Sequence, residues 1–187
     1  MGDKKVRSTN KAILATPALL SLCAIAGAEQ TPMSGLSIRA GVSMLSTKAS
    51  RDLTQDSSFA VGAGYQLNLK GMGATGGTTS LDADWYRNTG NGNKIDVWSV
   101  TLMQRFASPA KAAGMNVYFG AGIGWHRAQV YLTGSTPVSE TKNTVGGTAL
   151  VGTNFGENAF LELAYHFSAT VLSTNVNSFT AMVGVKF

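Results

Sequence analysis

The chain ends in the stretch S-F-T-A-M-V-G-V-K-F, residues Ser178–Phe187. Every second residue from Phe179 to Phe187 is apolar, and most residues between them are small or polar. Because successive side chains of a β-strand point to opposite faces, this alternation predicts a strand with one apolar face. The ten residues alone fit the closing strand of a soluble β-protein or of a membrane barrel.

The first 28 residues have the composition of a secretory signal peptide. Four basic residues precede the apolar run Ala12–Ile25, and Ala26-Gly27-Ala28 supplies the small residues typical of a cleavage site. A transmembrane anchor is the alternative, but the run is shorter than the roughly 20 residues that span a bilayer. We therefore predict a leader over 1–28, which contains the lone Cys23, and one domain over 29–187.

The charge of the chain gives no indication of a nucleic-acid partner. The whole sequence has 15 basic and 10 acidic residues. Residues 1–28 hold four of the basic residues and one of the acidic ones, which leaves a net charge of +2 on residues 29–187. These basic residues form no patch of the kind that binds nucleic acid.

The rest of the chain repeats the period-two pattern and predicts eight strands. They cover approximately residues 36–45, 58–69, 78–87, 95–106, 115–130, 143–155, 159–170 and 178–187. Strands of about ten residues suit a tilted crossing of a bilayer. Polar stretches at Ser46–Ser57 and Leu132–Lys142 predict long loops, whereas Gly71–Gly77, Ser108–Gly114 and Gly156–Asn158 predict turns.

The large aromatic residues sort to the two ends of these strands. One set lies toward the predicted loops and the other toward the predicted turns: Trp85, Trp98 and Trp125 in the first, and Phe106, Phe155 and Phe187 in the second. Two aromatic girdles are typical of a protein that crosses two membrane interfaces. A soluble lipocalin-like or avidin-like barrel would instead need apolar residues inside and polar residues outside.

Leader, strand pattern and two short segments together resemble the small outer-membrane β-barrel domain family, which includes OmpX-, OmpW- and opacity-type proteins. The segments are Y-F-G-A-G-I-G-W, Tyr118–Trp125, and V-G-V-K-F, Val183–Phe187. The resemblance implies an all-β, eight-stranded antiparallel up-and-down barrel in the cell outer membrane, with both termini periplasmic. It also implies that the chain end, with Phe179, Val183, Val185 and Phe187, is the signal for the barrel-assembly machinery. Outer-membrane lipid and lipopolysaccharide are the other expected partners, and we expect a monomer.

Charged residues on the inward faces are the candidate site. They are Arg39, Asp82, Asp84, Arg105, Glu162 and Lys186, and we group the ionisable His166 with them. Charges inside a narrow barrel must be paired or wet, so we predict a polar core in which Glu162 pairs with Lys186 or Arg39. The alternative is a narrow water-lined path, for which inward glycines such as Gly62, Gly64 and Gly122 leave room.

A third alternative is enzymatic. His166-Phe167-Ser168 looks like the His-x-Ser of the outer-membrane lipid A deacylases, in which Ser is the nucleophile and His the base. Ala169 stands where that family has Asn, and no acidic residue follows Ser168. We therefore predict a non-enzymatic outer-membrane barrel with a structural or surface-exposed role, and expect no metal or cofactor.

Overall fold

Eight strands close into one antiparallel barrel in the computed structural model, which describes residues 35–67, 77–112 and 115–187. They are β1 (Leu36–Leu45), β2 (Ser58–Leu67), β3 (Gly77–Gly90), β4 (Asn93–Ala112), β5 (Met115–Leu132), β6 (Val138–Phe155), β7 (Ala159–Phe167) and β10 (Ser178–Lys186). The predicted eight-stranded antiparallel barrel is therefore confirmed. The predicted leader lies outside the described residues.

The first and last strands close the barrel on each other. β1 pairs with β10 from Ser37 opposite Lys186 to Leu45 opposite Ser178. The Phe187 N–H then donates to the Leu36 carbonyl at 2.9 Å. We call the end of the barrel that holds Leu36 and Phe187 the turn end, and the opposite end the loop end.

The outer face is apolar and the inner face is polar. Phe59, Ile123 and Val145 point outward and are 51%, 63% and 73% exposed, whereas the inward Arg39 and Asp82 are buried. A soluble barrel would not leave such a belt of large apolar side chains in water. A bilayer covers that belt, and ring closure pairs the backbone groups that lipid cannot satisfy. No helix among the described residues is long and apolar enough to cross a membrane.

The predicted loop over Leu132–Lys142 is wrong, because two strands continue into it. Val138–Lys142 belongs to β6 and pairs with Ala128–Leu132 of β5, so that the loop between them is residues 133–137 only. All five residues of Val138–Lys142 are exposed, and four of them are polar. The segment therefore lacks the alternation that marked the strands within the apolar belt.

The predicted loop over Ser46–Ser57 contains a short helix, α1 (Lys48–Leu53). Thr47 caps it by accepting a hydrogen bond from the Ser50 N–H at 3.3 Å. The Ser50 hydroxyl donates to the Asn175 carbonyl at 2.6 Å, which fixes α1 beside the chain segment before β10.

A small hairpin that the sequence pattern did not indicate lies between β7 and β10. It consists of β8 (Thr170–Val171) and β9 (Thr174–Asn175), so that β7 ends at Phe167 rather than at the predicted residue 170. Leu172 and Ser173 form its two-residue turn with φ of 48° and 61°. The β3–β4 turn has the same left-handed backbone conformation at Asn91 and Gly92, with φ of 52° and 79°. Asn and Gly are residue types that favour this conformation.

At the turn end, two predicted turns differ from the structure. The turn over Gly71–Gly77 lies outside the described residues except for Gly77, which begins β3. The turn that was predicted to begin at Ser108 is wrong there, because β4 continues to Ala112, which pairs with Met115. The register shifts between Ala107 and Lys111, a stretch that includes Pro109, which has no N–H to donate. This bulge lets the strand pass a residue that normally ends one.

We predict that Ser173→Gly stabilises the protein, because glycine adopts the left-handed backbone without the steric cost that serine carries. We expect about 0.5–1 kcal/mol for Ser173→Gly. Gly92→Ala should destabilise the protein by more than about 1 kcal/mol, because an alanine is strained at positive φ and its Cβ would lie 3.0 Å from Thr133 Oγ1. Thermal unfolding of the detergent-solubilised barrel measures both variants. Stabilisation by Gly92→Ala would contradict the turn geometry described here.

Candidate functional site

The centre of the lumen holds a cluster of five charged side chains, which we call the lumen cluster: Arg39, Asp82, Asp84, Arg105 and Glu162. Arg39 of β1 contacts both aspartates of β3. Its Nη2 lies 2.7 Å from Asp84 Oδ1 and its Nη1 lies 3.0 Å from Asp82 Oδ2. All three side chains are buried. Arg39 thus neutralises charge in a space that bulk water does not reach.

Arg105 of β4 completes the cluster from the other side. Its Nη2 lies 2.6 Å from Asp82 Oδ2, and its Nε lies 2.9 Å from Glu162 Oε1. Tyr118 donates a hydrogen bond to the same Glu162 oxygen at 3.1 Å. Arg39 Nη1 lies 3.7 Å from Glu162 Oε2. Asp82 and Glu162 therefore each contact both arginines, and the ring of contacts is continuous.

Glycines in the intervening strands allow these contacts. Arg39, Gly62 and Asp84 lie opposite one another on β1, β2 and β3. A Cβ at Gly62 would lie 2.7 Å from Arg39 Nε, so a larger residue there would push the arginine away from Asp84. Tyr118 reaches Glu162 across Gly152 in the same way. Gly62 is one of the inward glycines that were interpreted as room for a water-lined path, and this interpretation is wrong at Gly62 because the Arg39 and Asp84 side chains fill the room.

The predicted pairing of Glu162 is correct for Arg39 and wrong for Lys186. Lys186 Nζ donates to Asn154 Oδ1 at 2.7 Å, and it lies over the rings of Tyr118 and Phe160 at 5.7 and 5.5 Å. No carboxylate of the described residues forms an ion pair with it. Lys186 and Glu162 do line the same cavity, of about 240 Å³, which opens at the turn end. The nearer Arg105 occupies the position that was predicted for Lys186.

An apolar plug closes the lumen above the cluster, toward the loop end. Inward residues of four strands pack there with the segment that contains the β8–β9 hairpin, and most are fully buried: Leu45, Tyr86, Ile95, Val97, Ala128, Val130, Val171 and Val176. Three more apolar side chains pack against them, one from the end of β5 and two from the segment between β7 and β10: Leu132, Ala169 and Leu172. Packed side chains of this kind exclude a water-filled path.

His166 lies below the plug and does not contact Ser168. Its Nδ1 lies 3.2 Å from the Thr148 hydroxyl, and its Nε2 lies 3.1 Å from the Thr180 hydroxyl. Its ring also packs against Tyr86, with a centroid distance of 5.9 Å. Both ring nitrogens are therefore engaged by threonines, and neither is directed at a nucleophile. No group of three or more His, Cys, Asp or Glu residues in the described ranges is arranged to hold a metal ion.

The aromatic residues lie at the two ends of the barrel. The Trp85 and Trp98 rings are 5.8 Å apart near the loop end, and Trp125 is exposed one strand further on. Phe106 stacks on Phe119 at 5.8 Å toward the turn end, and Phe155 is exposed there. Among the residues assigned to the assembly signal, Phe179 is exposed, but Val185 is buried where it pairs with Ile38 and Ala159. The signal itself stays a prediction.

Sequence reasoning missed two polar contributors to the structure. The alternation of β5 puts Tyr118 on the inward face, but Tyr118 was not among the candidate site residues, since its contact with Glu162 depends on Gly152 of the strand between them. Asp96 was not singled out, although it accepts hydrogen bonds from Trp85 Nε1 at 2.7 Å and from Arg87 Nη2 at 2.7 Å. Asp96 lies directly opposite Arg87 in the β3–β4 pairing, so opposite charges on the two arms of this short hairpin are the signal that could have indicated it.

A closed antiparallel barrel with an apolar outer face and a packed polar lumen defines a transmembrane β-barrel protein. The family model described as "Outer membrane protein beta-barrel domain" matches residues 15–187. The chain belongs to this family and is an outer-membrane β-barrel protein located in the cell outer membrane.

Several solved structures, including the following two, are similar to the chain. Neisserial surface protein A is 22% identical with a TM-score of 0.50, and the match covers 82% of this chain and 98% of that one. Ail, the attachment invasion locus protein of Yersinia pestis, is 17% identical with a TM-score of 0.53, covering 83% and 100%. At these identities the likeness shows the fold alone. No curated protein sequence matches the chain.

Two of the inward cations, Arg39 and Lys186, should differ sharply in their contribution to stability. Arg39→Met leaves Asp84 without its ion pair and two further carboxylates with Arg105 alone, which should cost about 3–5 kcal/mol. Lys186→Met removes an exposed cation that has no ion pair with a described carboxylate, and should cost less than about 1 kcal/mol. Urea unfolding in lipid, followed by tryptophan fluorescence, compares them. Equal losses of unfolding free energy in the two variants would contradict the ion pairs assigned to Arg39.

Proposed function

We propose that this protein is a closed, non-conducting and non-enzymatic barrel that presents its loop end at the bacterial surface. The observation that carries the proposal is that the lumen is filled at two levels. The lumen cluster crosses it in the middle, and the apolar plug fills it toward the loop end. A solute would have to separate buried ion pairs and then enter a dry apolar core.

The space left between these levels is too small for a path. A cavity of about 10 Å³ lies among Arg39, Asp84, His166 and Met182, and holding one water takes at least about that volume. The larger cavity of about 240 Å³ lies on the turn-end side and ends at Arg105 and Glu162. Within the described residues this cavity does not continue past the lumen cluster toward the loop end, which disfavours the channel alternative.

The geometry of His166 disfavours the deacylase alternative. The two threonine contacts hold the imidazole inside the lumen, where its side chain is buried. A lipid substrate would approach from the outer face. A general base must reach the proton that it removes, directly or through one water, and the plug and the barrel wall separate His166 from the lipid.

The strands that extend beyond the belt support a surface role. β3, β4, β5 and β6 continue past the tryptophans and form a sheet at the loop end, with α1 beside it. The inward face of this sheet packs against the apolar plug, and its outward face is mostly polar. Two proteins of similar fold are named for such roles, one as a surface protein and one as an attachment invasion locus protein. Loops that lie on a rigid scaffold are where binding functions are found.

Reconstitution into planar bilayers tests the closed lumen. We expect no solute-selective conductance from the wild-type barrel, beside a conducting porin as positive control. The variant Val171→Gly/Val176→Gly weakens the plug and leaves the lumen cluster, so it should stay silent as well. Steady conductance from the wild type would refute the closed lumen, and conductance from the variant alone would show that the cluster does not close it.

Cysteine labelling in intact cells tests the orientation. Cys23 lies in the predicted leader, and no other cysteine occurs, so an introduced thiol is unique after cleavage. Glu140→Cys at the loop end should react with a membrane-impermeant maleimide, whereas the matched Glu157→Cys at the turn end should react only after permeabilisation. The reverse pattern would invert the proposed orientation.

A further inference from the structure

The cavity of about 240 Å³ at the turn end, which we call the turn-end cavity, has no part in the proposed function. All eight barrel strands contribute to its lining. Two glycines keep it open, because a Cβ at Gly152 would collide with the ring of Tyr118, and one at Gly184 with the ring of Phe160. Both rings therefore lie against the backbone of a neighbouring strand. The remaining space has room for about eight waters, at roughly 30 Å³ each.

Lys186 supplies a cation at the mouth of this cavity. Its Nζ donates to Asn154 Oδ1 at 2.7 Å, and the ring centres of Tyr118 and Phe160 lie 5.7 and 5.5 Å from it. An ammonium group has three N–H donors, so two of them have no acceptor among the described residues. The rings attract the ammonium group but do not neutralise its charge. Lys186 is therefore placed to bind an anionic group.

Glu162 supplies a carboxylate at the floor of the cavity. Both hydrogen bonds that it accepts from described residues reach Oε1, from Arg105 Nε at 2.9 Å and from the Tyr118 hydroxyl at 3.1 Å. Its Oε2 accepts none, although Arg39 Nη1 lies 3.7 Å away. Each oxygen of a carboxylate can accept about two hydrogen bonds. Glu162 therefore has the capacity to accept a further donor.

The charges around the turn-end cavity are separated from each other. The lumen cluster holds three carboxylates and two guanidiniums, so its net charge is −1, and Lys186 balances it. Lys186 and Glu162 both contact Tyr118, but Lys186 forms no ion pair with Glu162 or with any other carboxylate in the described ranges. The floor of the cavity is therefore acidic by one charge, and its mouth is basic by one.

We propose that the turn-end cavity binds a small zwitterion of the size of a dipeptide. Its carboxylate contacts Lys186 at the mouth, and its ammonium group is directed toward Glu162 at the floor. The two charged ends of an extended dipeptide are roughly 6–7 Å apart, which suits a cation and a carboxylate that contact the same tyrosine without contacting each other. The inference rests on the proposed orientation only for the source of the ligand, because the turn end then opens to the periplasm.

A molecule with a single charge fits this cavity less well. A simple anion would bind Lys186 but would add to the net negative charge of the lumen cluster, and a simple cation would be attracted by Glu162 but repelled by Lys186. A dipolar molecule satisfies both groups and leaves the lumen neutral. The two aromatic rings and Leu36 give it apolar surface to pack against.

Saturation-transfer NMR on the purified barrel in detergent measures the binding of alanylalanine, with empty micelles as the blank. Two capped forms are the matched ligands: N-acetylalanylalanine lacks the ammonium group, and alanylalaninamide lacks the carboxylate. We expect saturable binding of alanylalanine and about fivefold weaker binding of each capped form. That factor corresponds to roughly 1 kcal/mol, which is typical of an ion pair that water can reach.

Lys186→Met should weaken the binding of alanylalanine about fivefold. It should leave the binding of alanylalaninamide unchanged, because the amide has no carboxylate for Lys186 to contact. Lys186→Arg should retain most of the affinity. Lys48→Met is the control, since it removes an exposed cation at the loop end, and it should bind each ligand as the wild type does. All variants should keep the gel mobility of the folded barrel.

The proposal is overturned if alanylalanine shows no saturable binding up to about 10 mM. It is also overturned if either capped form binds as tightly as the free dipeptide, or if Lys186→Met changes the affinities for the dipeptide and its amide alike. None of these results bears on the closed lumen or on the orientation, which the conductance and labelling experiments test separately.

Discussion

The structure depends on the mutual neutralisation of five charged side chains inside a ring of strands. Three carboxylates and two guanidiniums share the lumen, and none of them can remain buried without the others. Their contacts join β1, β3, β4 and β7. The lumen cluster therefore fixes the relative register of half of the strands, in addition to the backbone ladders. It also occupies the space through which a solute would pass, so that the same contacts that specify the barrel close it.

The cluster requires glycines as much as it requires charges. Arg39 contacts Asp84 from two strands away because Gly62 presents no side chain between them, and Gly152 plays the same part for Tyr118 and Glu162. In water, glycine in a strand weakens it. In this lumen, glycine in one strand lets a long side chain of the preceding strand extend over it and contact a residue of the following strand. A single sequence shows such a glycine only as a small inward residue, and its purpose depends on which residues lie opposite.

This explains what the sequence could and could not predict. The faces of the strands were predictable wherever lipid covers one side, because alternation there is strict from Phe59 to Tyr65 and from Val117 to Trp125. The partner of Glu162 was predicted only in part, since barrel register decides which cation lies nearest. The β6 end Val138–Lys142 was missed, because both of its faces are exposed to water and the alternation of apolar and polar residues disappears there. The β8–β9 hairpin was missed, since Leu172 and Ser173 are not the residues that its turn usually takes.

β3 and β6 each have two neighbouring strands over part of their length and one neighbouring strand over the rest. The position of this change indicates the depth at which water replaces lipid. β3 pairs on both sides up to Tyr86, and β6 pairs on both sides from Gly147 onward, whereas beyond these points the described barrel strands cover one side only. In hydrocarbon, an uncovered row of backbone amides would cost several kilocalories per mole for each group, but water satisfies such a row. Tyr86 follows Trp85, and the β6 limit lies two residues from Val145, which faces Trp125. The end of two-sided backbone pairing and the position of the indole rings therefore indicate the same depth for the membrane–water interface, for two independent physical reasons.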